Sequence, residues 1–226
     1  MFERRLVRAA RDLPFLADRL PELSPERVFL AERIFALLDL DARARESGQV
    51  AVHLIVSALA RHARVWDGEP RGELGLPVGL RVLEGDALSS LFFLYLLEEG
   101  KGEWLVPFAA AIAAYNREIV RLLEWRRKPE FSSELELEFR SRAEASLYLA
   151  LSPEEPRLRR LVELYLQVEH ARMREGRDGD LYREALALLR RVAYEVERDA
   201  AGSEMAAFAA ALPRAFDERL LAAEKE

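Results

Sequence analysis

The side chains best suited to chemistry in this sequence are its histidines, because a histidine beside a carboxylate can bind a metal ion or move a proton. His62 is followed five positions later by Asp67, and His170 directly follows Glu169. Either pair could supply two of the ligands of a metal site. The chain has no H-x-x-x-H or H-E-x-x-H spacing and no cysteine, and these are the patterns that usually indicate metal binding. The spacing therefore does not favour a metal site.

Two arginines near these histidines, Arg64 and Arg174, could instead bind an anion, because a guanidinium can bind a diphosphate directly. The alternative is that both form ion pairs at the surface or between subunits. The sequence contains no G-x-S-x-G, no glycine-rich phosphate loop and no dinucleotide fingerprint, the motifs typical of common enzyme sites. No catalytic residue is predicted.

The elements that must position these residues are predicted to be helices. Leu, Ala, Glu and Arg recur while β-branched residues are sparse, and apolar residues repeat with a period near 3.6. Ser24-Pro25 and capping boxes at Ser133 and Ser152 predict helix starts. We predict an all-α, single-domain helical bundle over residues 1–226. Helices are expected at about 1–20, 25–38, 49–67, 81–99, 103–125, 133–151, 152–176, 181–199 and 203–223, with a polar break at 39–48, a loop at 68–79 and a kink at Pro213.

The composition of the chain indicates which classes of partner are not expected. The 226 residues carry a net charge of −6, which does not suggest nucleic acid, since that partner favours a basic surface. The longest apolar runs, such as Leu91–Leu97, are too short to span a bilayer. The N-terminal arginines are not followed by an apolar signal core. We therefore expect a cytoplasmic protein with no stable membrane insertion.

The end of the helix predicted at 49–67 resembles the first aspartate-rich helix of the trans-prenyl diphosphate synthases, which ends in H-D-D-x-x-D. His62 and Asp67 match that frame, whereas Ala63 and Arg64 stand where the two catalytic aspartates should be. The next segment, R-V-L-E-G-D-A-L at 81–88, is similar to the family's following helix, which commonly reads A-V-L-x-G-D-Y-L.

The second aspartate motif of that family, F-Q-x-x-D-D-x-x-D, has a counterpart at 166–174. Gln167 matches, and the three aspartate positions are held by His170, Ala171 and Arg174. In the family these aspartates hold Mg²⁺ ions that bind the leaving diphosphate. One of the six expected aspartates remains in this chain, so the resemblance implies the helical frame without the metal chemistry.

This pattern resembles the non-catalytic small subunit, component 1, of heterodimeric heptaprenyl-type diphosphate synthases. The resemblance implies a helical bundle of the isoprenoid-synthase type that binds no cofactor itself. It implies an aspartate-bearing catalytic partner that carries Mg²⁺ and makes long-chain polyprenyl diphosphate for quinone side chains, with a homodimer in its absence.

The helix predicted after Gly85-Asp86 has two apolar faces. One contains Leu88, Leu91, Phe92 and Tyr95, and the other contains Phe93, Leu96 and Leu97. In the resembled family this helix packs at the dimer interface, so the second face is the predicted contact with another chain. Two alternatives remain open: a helical interaction module unrelated to prenyl transfer, and an enzyme of unrelated chemistry on a helical bundle.

Overall fold

The computed structural model describes residues 24–66 and 78–217, and within these stretches every regular element is a helix. The predicted all-α fold is therefore confirmed for this part of the chain. The helices are α1 (Pro25–Ala36), α2 (Ala42–Trp66), α3 (Val78–Glu98), α4 (Leu105–Trp125), α5 (Ser133–Tyr148), α6 (Pro156–Glu175), α7 (Asp180–Asp199) and α8 (Glu204–Ala211), with short 3-10 helices at Gly102–Trp104 and Pro213–Phe216.

The described residues fall into two compact units. The first contains Ser24, 40–66 and 78–106, and the second contains 25–39 and 107–217. The second unit is discontinuous in sequence, because α1 comes before residue 40 of the first unit and the rest of the second unit begins at residue 107. The prediction of a single domain stays a prediction.

The first unit is built on the pairing of α2 with α3. The middle of α2 is buried from Val50 to Leu59, and these residues are apolar except for His53 and Ser57. At Gly85 the two helices approach closely, since an added Cβ there would lie 2.7 Å from Cε1 and Nε2 of His62. The His62 ring therefore occupies the space that the missing side chain of Gly85 leaves between the two helices.

The second unit is a run of neighbouring helices in which α5 packs on α6, α6 on α7, and α7 on α8. The ring of Tyr165 on α6 packs near the rings of Phe29 and Phe216. The centroid of the Tyr165 ring lies 6.5 Å from that of Phe29 and 4.8 Å from that of Phe216. Leu30 and Ile34 of α1 are fully buried. The core of this unit therefore combines an N-terminal helix with elements from the C-terminal half.

The start of α2 corrects the predicted polar break at 39–48. The helix begins at Ala42, seven residues before the predicted start, and Asp41 accepts a hydrogen bond from the Ala44 backbone N–H at 2.8 Å. This bond also lowers the pKa of Asp41. An aspartate cap satisfies an otherwise unpaired amide. The arginines and the glutamate that follow are good helix formers, and the hydroxyl of the buried Ser47 is satisfied by donating to the Arg43 backbone carbonyl at 2.9 Å.

Two predicted caps are displaced along the chain. Ser132, not Ser133, accepts from the Leu135 N–H at 3.2 Å, so α5 begins at Ser133, one residue earlier than a cap at Ser133 would place it. The helix predicted from Ser152 begins at Pro156 instead, and Glu155 caps it by accepting from the Leu158 N–H. A residue before proline is driven to extended backbone, which excludes a helix passing through Glu155.

The C-terminal helix is shorter than predicted. Ser203 caps α8 by accepting from the Ala206 N–H, but the α-helix ends at Ala211 and Pro213 opens a 3-10 helix. Proline removes a backbone donor, so Pro213 ends this helix rather than kinking it. The predicted helix at 1–20, most of the loop at 68–79 and residues 218–223 lie outside the described residues, although Val78 and Gly79 are already helical.

Among the helices described here, none is long and apolar enough to cross a membrane.

The contact between Gly85 and His62 predicts a coupling between two substitutions. Alanine is favoured over glycine in a helix by up to about 1 kcal/mol, so Gly85→Ala should stabilise the chain by about that amount once His62→Ala has removed the ring. With His62 present the gain should be smaller or reversed, because the ring must move. Urea unfolding of the four variants measures this. Equal effects in both backgrounds would show that the ring does not rest on Gly85.

Candidate functional site

The first set of motif positions lies at the end of α2. Nε2 of His62 is 3.5 Å from Oδ1 of Asp86 on α3, and Ala63 is half-buried. The side chain of Arg64 and the whole of Asp67 lie outside the described residues. His62 is therefore placed against the G-D segment of the next helix.

The second set lies on α6. Ala171 is fully buried, Gln167 is half-buried, and Nε2 of His170 is 3.3 Å from Oε1 of Glu144. Arg174 donates from Nη1 to Oε2 of Glu136 at 3.3 Å. Two of the three positions that carry aspartates in the resembled family, His170 and Arg174, here face carboxylates, and the third is the buried Ala171.

Arg174 shares Glu136 with two other arginines. Arg126 approaches Oε1 of this carboxylate at 2.5 Å and Arg140 approaches it at 3.0 Å. Burial alone would raise the pKa of Glu136, but the arginines reverse this and lower it. Arg174 thus belongs to an ion-pair network that ties the end of α6 to the start of α5, as the ion-pair alternative expected.

A buried ion cluster lies where α1, α5 and α6 meet. Arg27 donates from Nε and Nη2 to the two oxygens of Glu169, at 3.0 and 3.1 Å, and its Nη2 lies 3.0 Å from Oε2 of Glu144. One guanidinium therefore holds two carboxylates from two helices. His170 completes the cluster through Glu144 and through Nδ1, which is 3.9 Å from Glu169.

A second charged pair lies beside the cluster. Arg172 donates to the buried carboxylate of Glu26 at 3.0 Å, and the Tyr165 hydroxyl donates to the Glu26 backbone carbonyl at 2.7 Å. Both contacts run from α6 to the first turn of α1. Glu26 and Arg27 are adjacent in sequence, so α1 is fixed to α6 at its N-terminal end by charge and further along by apolar packing.

The cluster shifts the titration of its own members. Burial by itself raises the pKa of Glu144, but the Arg27 guanidinium and the His170 imidazole lower it more, and the pKa comes to about 2. Glu169 behaves in the same way, with a lowered pKa. Burial lowers the pKa of Arg27, whereas the two carboxylates raise it and prevail. All three groups stay charged at neutral pH.

This arrangement is suited to holding helices together rather than to catalysis. A carboxylate that acts as a base or metal ligand must offer a lone pair, and here both carboxylates are directed at Arg27. Among the residues the structure describes, no group of three or more histidine, aspartate or glutamate side chains is placed to hold a metal ion. His170 is the motif position that takes part in this ion cluster, through its contacts with Glu144 and Glu169.

Sequence reasoning missed this cluster. Glu169 was considered only as a partner of His170, and neither Arg27 nor Glu144 was singled out. The signal was present, because Glu144 lies between the buried Ala143 and Ala145, and Glu169 follows the buried Val168. A charged residue at a helix position where apolar residues are expected usually has a buried partner.

The second candidate surface is the outer side of α3. Six residues at helical spacing are exposed and form what we call the α3 stripe: Leu83, Asp86, Ser90, Phe93, Leu94 and Leu97. The exposed fraction of its apolar residues runs from 43% at Phe93 to 62% at Leu83. Of the three residues predicted to meet another chain, Phe93 and Leu97 lie on this stripe. Leu96 does not, because it is fully buried with Leu88 and Phe92.

Comparison of the chain with models of protein families, with curated proteins and with solved structures gives no match.

The low pKa of Glu144 predicts a pH-dependent contribution to stability. A carboxylate whose pKa is about 2 in the folded chain, against an ordinary 4.5, stabilises the fold above pH 4.5, and this contribution is lost as the pH falls towards 2. Glu144→Gln should lower the free energy of unfolding by roughly 3 kcal/mol at pH 7. The deficit should shrink as the pH falls through that window, as followed by urea unfolding at several pH values.

Glu138→Gln is the matched control, because Glu138 lies on the same helix and pairs with Arg142 but is half-exposed. Exposed pairs contribute at most about 1 kcal/mol, so this variant should differ little from the parent. Equal losses for the two variants would show that the cluster around Arg27 is no stronger than a surface pair.

Proposed function

We propose that this chain is a catalytically silent accessory subunit. It pairs with a trans-prenyl diphosphate synthase that carries the aspartate motifs, and the pair makes long-chain polyprenyl diphosphate for quinone side chains. The catalytic partner supplies the Mg²⁺ sites, and this chain supplies a helical surface.

The observation that carries the proposal is the apolar α3 stripe. Burying one such side chain contributes roughly 1.5–3 kcal/mol, so four exposed leucine and phenylalanine side chains on one helix are a strong reason for association. The opposite side of the same helix is already packed, with Leu88, Phe92 and Leu96 buried. The stripe is therefore available to another chain without disturbing the core of the first unit.

The motif positions agree with a silent role. His62 rests on Gly85 and faces Asp86, so the two segments that resemble successive family helices touch each other. His170 faces Glu144 and Arg174 binds Glu136. These side chains are engaged within the chain, which supports a structural use of positions that would hold metal in an active synthase.

The alternative function is a helical interaction module unrelated to prenyl transfer. The α3 stripe favours it as well, because an apolar helix face is suited to any partner of matching shape. The resemblance to the synthase subunit distinguishes the two, and only the identity of the partner tests it.

Co-expression with the aspartate-bearing synthase of the same organism tests the proposal. Purified alone, the chain should form no prenyl product from isopentenyl diphosphate, an allylic primer and Mg²⁺. The co-purified pair should form long-chain product that neither subunit forms by itself. Product from the single chain would contradict the silent role, and failure to co-purify would favour the unrelated module.

Phe93→Glu tests the surface. A charge in the middle of the α3 stripe should leave the chain helical by circular dichroism and lower its affinity for the synthase by at least about a hundredfold, since the glutamate loses its water on pairing. Val120→Glu is the control, because Val120 is a similarly exposed apolar residue on α4. It should pair normally. Loss of folding in Phe93→Glu would place Phe93 in the core, and normal pairing would place the interface elsewhere.

A further inference from the structure

One residue of the α3 stripe is charged. Asp86 lies between Leu83 and Phe93 on the same side of the helix, and its side chain is 62% exposed. Ser90, the other polar residue of the stripe, donates its hydroxyl to the Asp86 backbone carbonyl at 2.9 Å. Ser90 therefore needs no partner from another chain, and the carboxylate of Asp86 is the one polar group of the stripe that does.

Within the described part of the chain, the Asp86 carboxylate lies 3.5 Å from the His62 ring, and no arginine or lysine pairs with it. Its carboxylate is kept stable mainly by water. A partner that covers the stripe removes that water, and burying a carboxylate without a new cation or donor is costly. The stripe consequently discriminates between partners that supply such a group and partners that do not.

Within the described residues, the matching stripe of a second copy does not supply it. Twofold pairing brings the same stripe from both copies together, and the stripe contains no basic side chain. In a parallel pair Asp86 meets the same aspartate of the other copy, and in an antiparallel pair centred on Ser90 it meets Leu94. The nearest described lysine, Lys101, lies beyond the end of α3, where its ammonium is 5.0 Å from the centre of the Trp104 ring.

We infer that Asp86 makes the α3 stripe selective, disfavouring pairing with a second copy and favouring a partner helix that places an arginine or lysine opposite it. The identity of that partner rests on the proposed function, whereas the effect on self-pairing does not. Specificity of this kind comes from a group that is tolerated in one complex and unpaired in another.

Measuring self-association of the full chain tests whether Asp86 disfavours pairing with a second copy. Sedimentation of Asp86→Leu should show self-association at least about tenfold tighter than that of the parent, and Asp86→Asn should lie between them. Adding Phe93→Glu to Asp86→Leu should abolish the gain, which assigns it to the stripe. Glu98→Leu is the control for added apolar surface, because Glu98 is exposed on the same helix beside the stripe. Unchanged self-association of Asp86→Leu, or a gain that survives Phe93→Glu, would overturn the inference.

Measuring pairing with the catalytic synthase tests whether Asp86 favours a partner that places an arginine or lysine opposite it. Asp86→Lys should weaken that pairing at least about tenfold, Asp86→Glu should retain it, and reversing the charge of the facing basic residue of the partner should restore the pairing of Asp86→Lys. Equal affinity of the parent and Asp86→Lys would overturn the partner chemistry. If the parent does not pair with the synthase at all, the proposed function fails, and the sedimentation results still decide the role of Asp86.

Discussion

The second unit depends on one guanidinium. Arg27 is buried between Glu144 and Glu169, within 3.0–3.1 Å of both, and these three residues come from α1, α5 and α6. Without Arg27 two carboxylates would share a buried space with no strong cation, and such a state is strongly disfavoured. The position of α1 relative to α5 and α6 is therefore specified by charge as well as by its apolar residues. Apolar packing alone tolerates rotation and sliding of a helix more readily than a bidentate ion pair does.

The first unit adds a steric contact to its ion pairs. Arg61 of α2 lies 3.8 Å from the buried carboxylate of Glu84 on α3. The same two helices are in close contact where the His62 ring lies against Gly85. A glycine inside a helix reduces its stability by up to about 1 kcal/mol relative to alanine. Its presence here is explained by the space it leaves for the ring. The first unit thus combines an ion pair on a buried glutamate with a close contact that the absent Cβ of Gly85 permits.

Much of the fold could be predicted from sequence. Helix type follows from period and composition, and the bounds of α4 and α7 agree closely with their predictions because Pro107 and the glycines at 176 and 179 mark the ends. The errors lie where two signals compete. The stretch before Gln49 was predicted to be a polar break, but it is helical because Asp41 caps a helix that begins at Ala42. The helix predicted from Ser152-Pro153 begins only at Pro156, because the residue before this proline is extended.

The site was harder to predict than the fold. Motif spacing placed His62, His170 and Arg174 correctly on helices, but it could not show which carboxylate each would meet, since Glu136 and Glu144 are on a different helix from the residues they bind. Helical periodicity likewise assigned Leu96 to the outer face, although it points inward. A helix with apolar residues around most of its circumference gives little indication of which of them will be covered.

The two kinds of charge in this chain have opposite physical consequences. Glu144 and Glu169 are satisfied by Arg27 inside the chain, so they fix one internal arrangement and leave nothing for a partner to provide. The carboxylate of Asp86 is exposed to water on an apolar surface. The free-energy cost of removing that water appears only when a partner covers the surface. A carboxylate in the first position stabilises a fold, and one in the second selects among complexes. The sequence does not separate these roles, because each carboxylate lies within a largely apolar helical segment. The two roles are distinguished by the surroundings of each carboxylate in the fold: Glu144 and Glu169 bind Arg27 of α1, whereas Asp86 lies on the exposed side of α3.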